Sequence, residues 1–198
     1  MTAPSLAPPA PLPRPRVLLV GTTFATAAVL MTFAGMLGFY LLERAAVLSN
    51  GGEWLPSGAT IPLTQPNVML MGLVMSAVTM QWVVQAVRAD DRTNTYLALG
   101  MTLLLGLAYL NMAFYLFSIM GLDVDAADSS APVLIYTLAG AHVAMTIVAM
   151  VFVGLMAFRA LAGQYTSRQY DGLASAALFW HATVVVYAVI WFAVFVTK

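Results

Sequence analysis

The sequence predicts an all-α fold: a polytopic membrane helix bundle of five transmembrane helices, with the N-terminus inside and the C-terminus outside. Three observations carry this. Hydrophobic residues make up 62% of the 198 and charged residues only 8%, a balance that no water-soluble domain of this length tolerates. The apolar residues gather into five runs, at about 17–42, 67–87, 96–120, 133–158 and 173–197. Each run reaches the roughly 20 residues that cross a bilayer as a helix. The basic residues then set the orientation. With the N-terminus inside, Arg14, Arg16, Arg88, Arg92, Arg159 and Arg168 all fall on the cytoplasmic side, and only Arg44 and Lys198 fall outside, as the excess of Lys and Arg in inner loops requires.

Residues 1–16 hold six prolines and no apolar periodicity, so they read as a Pro-rich cytoplasmic tail preceding a transmembrane domain over 17–198. Two arginines lead into a first span too long for the apolar core of a signal peptide. The long connection after it, Glu43–Pro66, is punctuated by Asn50-Gly51-Gly52 and Pro56-Ser57-Gly58 and reads as a loop. The remaining connections are short. Asp123, Asp125 and Asp128 cluster in the one between the third and fourth spans, on the outer side.

Composition also excludes functions. The formal net charge is zero and no basic block occurs, which leaves no nucleic-acid footprint and no polybasic lipid patch. There is no cysteine, hence no disulfide, thiolate metal site, iron–sulfur ligation or c-type haem attachment. No Asp, Glu, Lys or Arg lies inside a span by this parse, whereas proton pumps and ion-coupled transporters build their pathways from such groups. The five spans do not divide into similar halves either, as transporter repeats would.

The candidate functional residues lie in the last third. His142 and His181, the only histidines, both sit inside apolar spans, where an ionisable side chain needs a reason. A bis-histidine haem is one reading. Depth argues against it: counted from opposite span ends, the two differ by about 10 Å at 1.5 Å per residue, and one iron needs both at nearly the same level. Hydrogen-bonded neutral histidines are the expected alternative. A mononuclear metal site lacks a nearby carboxylate to complete its ligands. The pairs Ala34 and Gly38, and Gly140 and Ala144, have the spacing that lets helices approach closely. Tyr40, Trp54, Tyr96, Tyr109, Trp180 and Trp191 read partly as an interfacial aromatic belt.

One segment carries a resemblance. Phe158-Arg159, Gln164-Tyr165-Thr166-Ser167, Gly172 and Leu178-Phe179-Trp180-His181 resemble the closing segment of subunit III of haem-copper (cytochrome c) oxidases, in its short five-helix form. In that family an arginine leads through an aromatic-Thr-Ser turn and a glycine to an aromatic-Trp-His motif. Gly140-Ala141-His142-Val143 resembles part of its Gly-Phe-His-Gly-Leu-His-Val motif, Thr102-Leu103-Leu104-Leu105-Gly106 its Thr-Leu-x-Leu-Gly helix, Phe33-Ala34-Gly35 its Phe-Ala-Gly, and Asn67 with Thr79 its Asn…Thr pair. Every intramembrane carboxylate of the pattern is replaced. The acids fall at or near Val29, Leu116, Ala174 and Val184, the family's Gln falls on Ala113, and the first of its paired histidines falls on Ala139.

The resemblance implies a non-catalytic accessory subunit of a respiratory haem-copper terminal oxidase, multi-pass in the cell inner (plasma) membrane. Such a subunit has no catalytic centre, cofactor or metal of its own; haem and copper are expected in the partner catalytic subunit. Its implied partners are that subunit, other oxidase subunits and phospholipids, with no nucleic acid. Its implied work is to stabilise the catalytic subunit, to hold structural lipids in a cleft and to line an O2 route. His142, Arg159, Trp180 and His181 are the candidates for lipid or subunit-interface roles. The alternatives are a subunit III-like companion of a nitric oxide reductase and, from another class, a small membrane transporter or cytochrome.

Overall fold

A computed structural model describes residues 16–56, 59–125 and 129–197. The Pro-rich tail, apart from Arg16, lies outside the described residues, as do Asp128 and Lys198. Five helices follow in order: α1 Val17–Ser49, α2 Thr64–Arg88, α3 Arg92–Ile119, α4 Ala131–Leu161 and α5 Asp171–Ile190, the last running on into a π-helical segment, Trp191–Val196. All five are long and apolar enough to cross a membrane, and no strand occurs among the described residues. The chain is an all-α, multi-pass membrane bundle.

The helices outrun the apolar runs that announce them. Glu43 to Ser49, expected in the first loop, continues α1 instead. Glu, Arg, Ala and Leu are good helix formers, and a helix goes on past the hydrocarbon until something stops it. What stops α1 is Asn50 followed by Gly51 at φ +75°, a left-handed conformation that glycine adopts without strain. At the start of α3, Asp91 is the N-cap, and its carboxylate accepts from the Asn94 backbone N–H at 3.0 Å. That satisfies one of the donors a helix start leaves unpaired.

The last helix in sequence is the centre of the bundle. α5 packs on α1, α2 and α4, while α3 closes the far side against α2 and α4. α2 and α3, joined by the tight turn 89–91, form the most extensive pair. α1 attaches through α5, with a smaller contact to α4.

Arg14 lies outside the described residues; among those described, the arginines predicted to share one side do share one end of the bundle. There Arg16 pairs with Asp171 at 3.6 Å, Arg88 lies 5.0 Å over the Tyr170 ring, and Asp90 accepts from the Ser167 backbone N–H at 2.6 Å. The Arg16 pair is solvent-exposed on both sides and contributes at most about 1 kcal/mol. At the opposite end the loops are tied by Ser129, which donates to the Trp54 carbonyl, and by Trp54, whose indole N–H donates to the Tyr40 hydroxyl at 3.2 Å.

Two expectations about packing change. Gly38 and Ala34 face outward, and an added Cβ at Gly38 or Gly140 would meet nothing within 4 Å, so these small pairs are not where this chain's own helices touch. Of the belt aromatics, Tyr40, Trp54, Tyr109 and Trp180 are buried in the core. Their polar tips find partners inside the bundle, which is an alternative to the interface for a ring with one wet end.

Candidate functional site

Four helices converge on a single imidazole. His142, in the middle of α4, is fully buried. Its Nε2 lies 2.9 Å from the Thr183 carbonyl on α5, and its Nδ1 lies 2.7 Å from the Tyr109 hydroxyl on α3. A carbonyl can only accept, so Nε2 carries the proton and Nδ1 accepts from Tyr109. That is the neutral tautomer with both nitrogens satisfied. Phe33 of α1 meets the ring edge-on at a centroid distance of 6.2 Å, and Tyr187 of α5 lies at 5.2 Å. Tyr187 in turn donates to the Pro66 carbonyl at 3.2 Å, bringing in the first turn of α2. Interhelical hydrogen bonds of this kind contribute about 0.6 to 2 kcal/mol each in a membrane. Beside Tyr109 and His142 the packing leaves a cavity of about 10 Å³, whose lining includes Met69, Leu116, Tyr187 and Phe195, which is at the lower bound for a single water.

About one turn along α5 toward the arginine end from Thr183, Trp180 makes the second interhelical joint. Its indole N–H donates to the Ser76 hydroxyl at 3.0 Å, and Ser76 donates on to the Leu73 carbonyl at 2.6 Å. The ring lies against Gly106 of α3, where an added Cβ would stand 2.8 Å from the indole Cη2 and 3.1 Å from the Met150 sulfur. Glycine is required there because Trp180 and Met150 occupy the space a side chain would need. Nearby, Thr79 and Thr102 share a hydrogen bond at 2.8 Å across α2 and α3.

Arg159 belongs to a different setting. It is exposed at the end of α4, donates through Nε to Gln164 at 2.9 Å and lies 5.5 Å over the Tyr165 ring. Tyr165 donates to the Met156 sulfur at 2.9 Å and abuts Gly172. Burial pushes the Tyr165 phenol above its ordinary range, with the Arg159 charge opposing. The Phe-Arg, Gln-Tyr-Thr-Ser and Gly stretches are thus one folded turn that sets the α4–α5 geometry.

His181 stands apart again. It is half-buried on the open side of α5, with Leu178, Val185 and Phe192 along the same stripe, and makes no hydrogen bond to another described residue. His142 meets the carbonyl of Thr183, only two residues beyond His181, or about 3 Å of helical rise. Surroundings separate the histidines: one is enclosed with both nitrogens engaged, the other is half open. Among the described residues no group of three His, Cys, Asp or Glu side chains could hold a metal.

Of the four residues singled out, the fold encloses His142 and Trp180, and leaves Arg159 and His181 at the surface. Sequence reasoning missed Ser76, Tyr187 and the partnership of Tyr109 with His142. The available signal was a hydroxyl at the midpoint of an apolar span, which in lipid implies a partner on another helix.

Comparison with known proteins follows the same residues. The sequence profile of the family described as cytochrome c oxidase subunit III matches residues 17–197, all five helices. The chain is similar to cytochrome c oxidase subunit 3 of Strongylocentrotus purpuratus, 26% identical over 178 residues, and of Oncorhynchus clarkii and Gadus morhua, each 26% identical over 179 residues. Each alignment covers 87% of this chain but only 66% of the relative. With a profile match running from the first residue of α1 to the end of the π-helical segment, the chain belongs to the cytochrome c oxidase subunit III family.

Proposed function

We propose that this chain is the non-catalytic subunit III of a respiratory haem-copper terminal oxidase. In this reading it flanks the haem- and copper-bearing subunit in an energy-conserving inner or plasma membrane, with the N-terminus inside. Its work is mechanical and solvational: to stabilise the catalytic subunit and to hold phospholipids against it. Dioxygen is apolar and partitions into such an interior, which offers it a route to the partner.

The observation that carries the reading is the family match across all five helices. The interior supports it: His142 and Trp180 have their polar atoms committed to interhelical hydrogen bonds, which suits joints better than proton relays. The outward stripe of α5 with His181 supplies a face where a hydrogen-bonding partner from outside the chain fits.

The test is purification from native membranes through a tag on this chain. A co-migrating subunit with a haem absorbance band and stoichiometric copper is the expected result. A partner with haem and non-haem iron but no copper would assign the chain to a nitric oxide reductase instead, and recovery without any haem-bearing partner would overturn the oxidase reading. Labelling of an N-terminal tag from outside the intact cell would overturn the orientation.

A further inference from the structure

Arg44 is set apart from the arginines whose contacts are described above. It lies on α1, five residues before Ser49, about 8 Å below the end of that helix at 1.5 Å per residue, on the end of the bundle opposite to Arg16. The side chain is partly buried. Nη1 donates to the Thr197 hydroxyl at 2.7 Å, which ties α1 to the end of α5. Its Nε, by contrast, is buried with no acceptor, and no carboxylate of a described residue lies within 4.0 Å. The adjacent Glu43 stands about 100° away around the helix and forms no ion pair with it. At the other end of the bundle, Arg16 has Asp171, Arg88 has Tyr170, and Arg159 has Gln164 and Tyr165.

A guanidinium offers five N–H donors in a planar fork and cannot shed its charge. Leaving one desolvated donor unpaired is costly, and a bidentate oxyanion is the chemistry that fits the vacant edge. Depth narrows the source. Arg44 is within the last turns of a membrane-crossing helix, where phospholipid phosphates lie, and its neighbours Leu41, Leu42 and Leu48 are exposed on α1, an apolar surface for acyl chains below the headgroup.

We infer that Arg44 holds the phosphate of a membrane phospholipid at the α1–α5 junction, with its Nε edge facing the oxyanion and its Nη1 anchored on Thr197. This rests on the lipid-holding reading above and assigns it a specific residue. The site couples a lipid to the attachment of α1, the helix with the least contact to the rest of the bundle.

The experiment is native mass spectrometry of the complete tagged complex in mild detergent, for wild type, Arg44→Gln, Arg44→Lys, Thr197→Val and Arg88→Gln. The proposal predicts that wild type and Arg88→Gln retain a phospholipid that Arg44→Gln loses. Thr197→Val should keep it, because the charge and Nε remain, and Arg44→Lys should retain it only in part, because the fork is gone. Should Arg44→Gln fail to assemble, Arg44→Lys and Thr197→Val still decide: equal lipid retention in wild type and Arg44→Lys would overturn the bidentate assignment. Incubation of delipidated complex with inorganic phosphate provides the second arm, and an Arg44-dependent phosphate adduct without lipid retention would overturn the lipid source. Bound phospholipid in wild type that is unchanged in Arg44→Gln overturns the site alone, whereas wild type free of tightly bound phospholipid overturns the broader lipid-holding reading.

Discussion

α1 and α5 have the same mean hydropathy over their most apolar stretches, yet 56% of that stretch is buried in α5 and 17% in α1. In water such different fates would be written as different patterns, because exposed positions turn polar. In lipid the exposed face is as apolar as the buried one, so hydropathy marks the span and is silent about its neighbours. What distinguishes the two helices is the kind of small and polar residues they carry. α5 brings Trp180, Ser175, Thr183 and Tyr187 into the core. α1 buries only Thr22, Thr26, Phe33, Leu37 and Tyr40 among its 33 residues.

The contrast is broken most strongly at Trp180. Trp180→Ala removes the ring between α3 and α5 and the hydrogen bond that Ser76 accepts, and should lower bundle stability by about 3 kcal/mol. The matched change on the exposed face, Phe24→Ala at 73% exposure, should stay within about 0.5 kcal/mol. Unfolding in a graded denaturing detergent compares them, and equal losses would refute the keystone role of α5. Approached from the other side of the same contact, Gly106→Leu should cost about 1 to 3 kcal/mol by overpacking against Trp180 and Met150, while Gly38→Leu on α1 should be close to neutral.

His142→Ala should cost about 1 to 2 kcal/mol through its two interhelical hydrogen bonds. A Tyr109→Phe/His142→Ala double-mutant cycle would check that the two share one interaction. His181→Ala is expected to leave the isolated chain unchanged and to weaken its retention in the complex by about 0.6 kcal/mol, with initial turnover per intact complex preserved. A collapse of turnover with the subunit still bound would make His181 part of the chemistry.

The smallest effect concerns pH. The Asp90 carboxylate is held below its ordinary value of 3.8, first by hydrogen bonding from the Ser167 side chain and then by the Ser167 backbone N–H. A lowered folded-state value means that the contribution is fully present above about 3.8 and fades as pH falls through the lower folded value. Hydrogen exchange of the Ser167 amide should therefore stay slow at neutral pH and accelerate only in strong acid, and Asp90→Ala should make it fast at all pH values.

The number of spans, their order and the shared end of the arginines were legible in the sequence, because each follows from one-dimensional facts: the length of apolar runs and the alternation of ends. The family resemblance was legible too, in the Arg159 to His181 stretch. Helix ends were less so, since Glu43–Ser49 is helical by propensity beyond the hydrocarbon run. The polar joints were not: nothing linear announces that Tyr109 reaches His142, that Trp180 reaches Ser76, or that Gly106 is crowded by side chains of other helices while Gly38 faces open space.

The sequence by itself determined that this chain crosses a membrane five times and that its two histidines are the groups most in need of partners. Only the tertiary structure decided that one of them is enclosed and fully bonded while the other stands half open, and that α5 is the helix the others pack around. The reason is that crossing a bilayer is a matter of local length and polarity, whereas partnership depends on rotation and relative depth of helices. Those quantities are set by which side chains interlock across three or four helices at once.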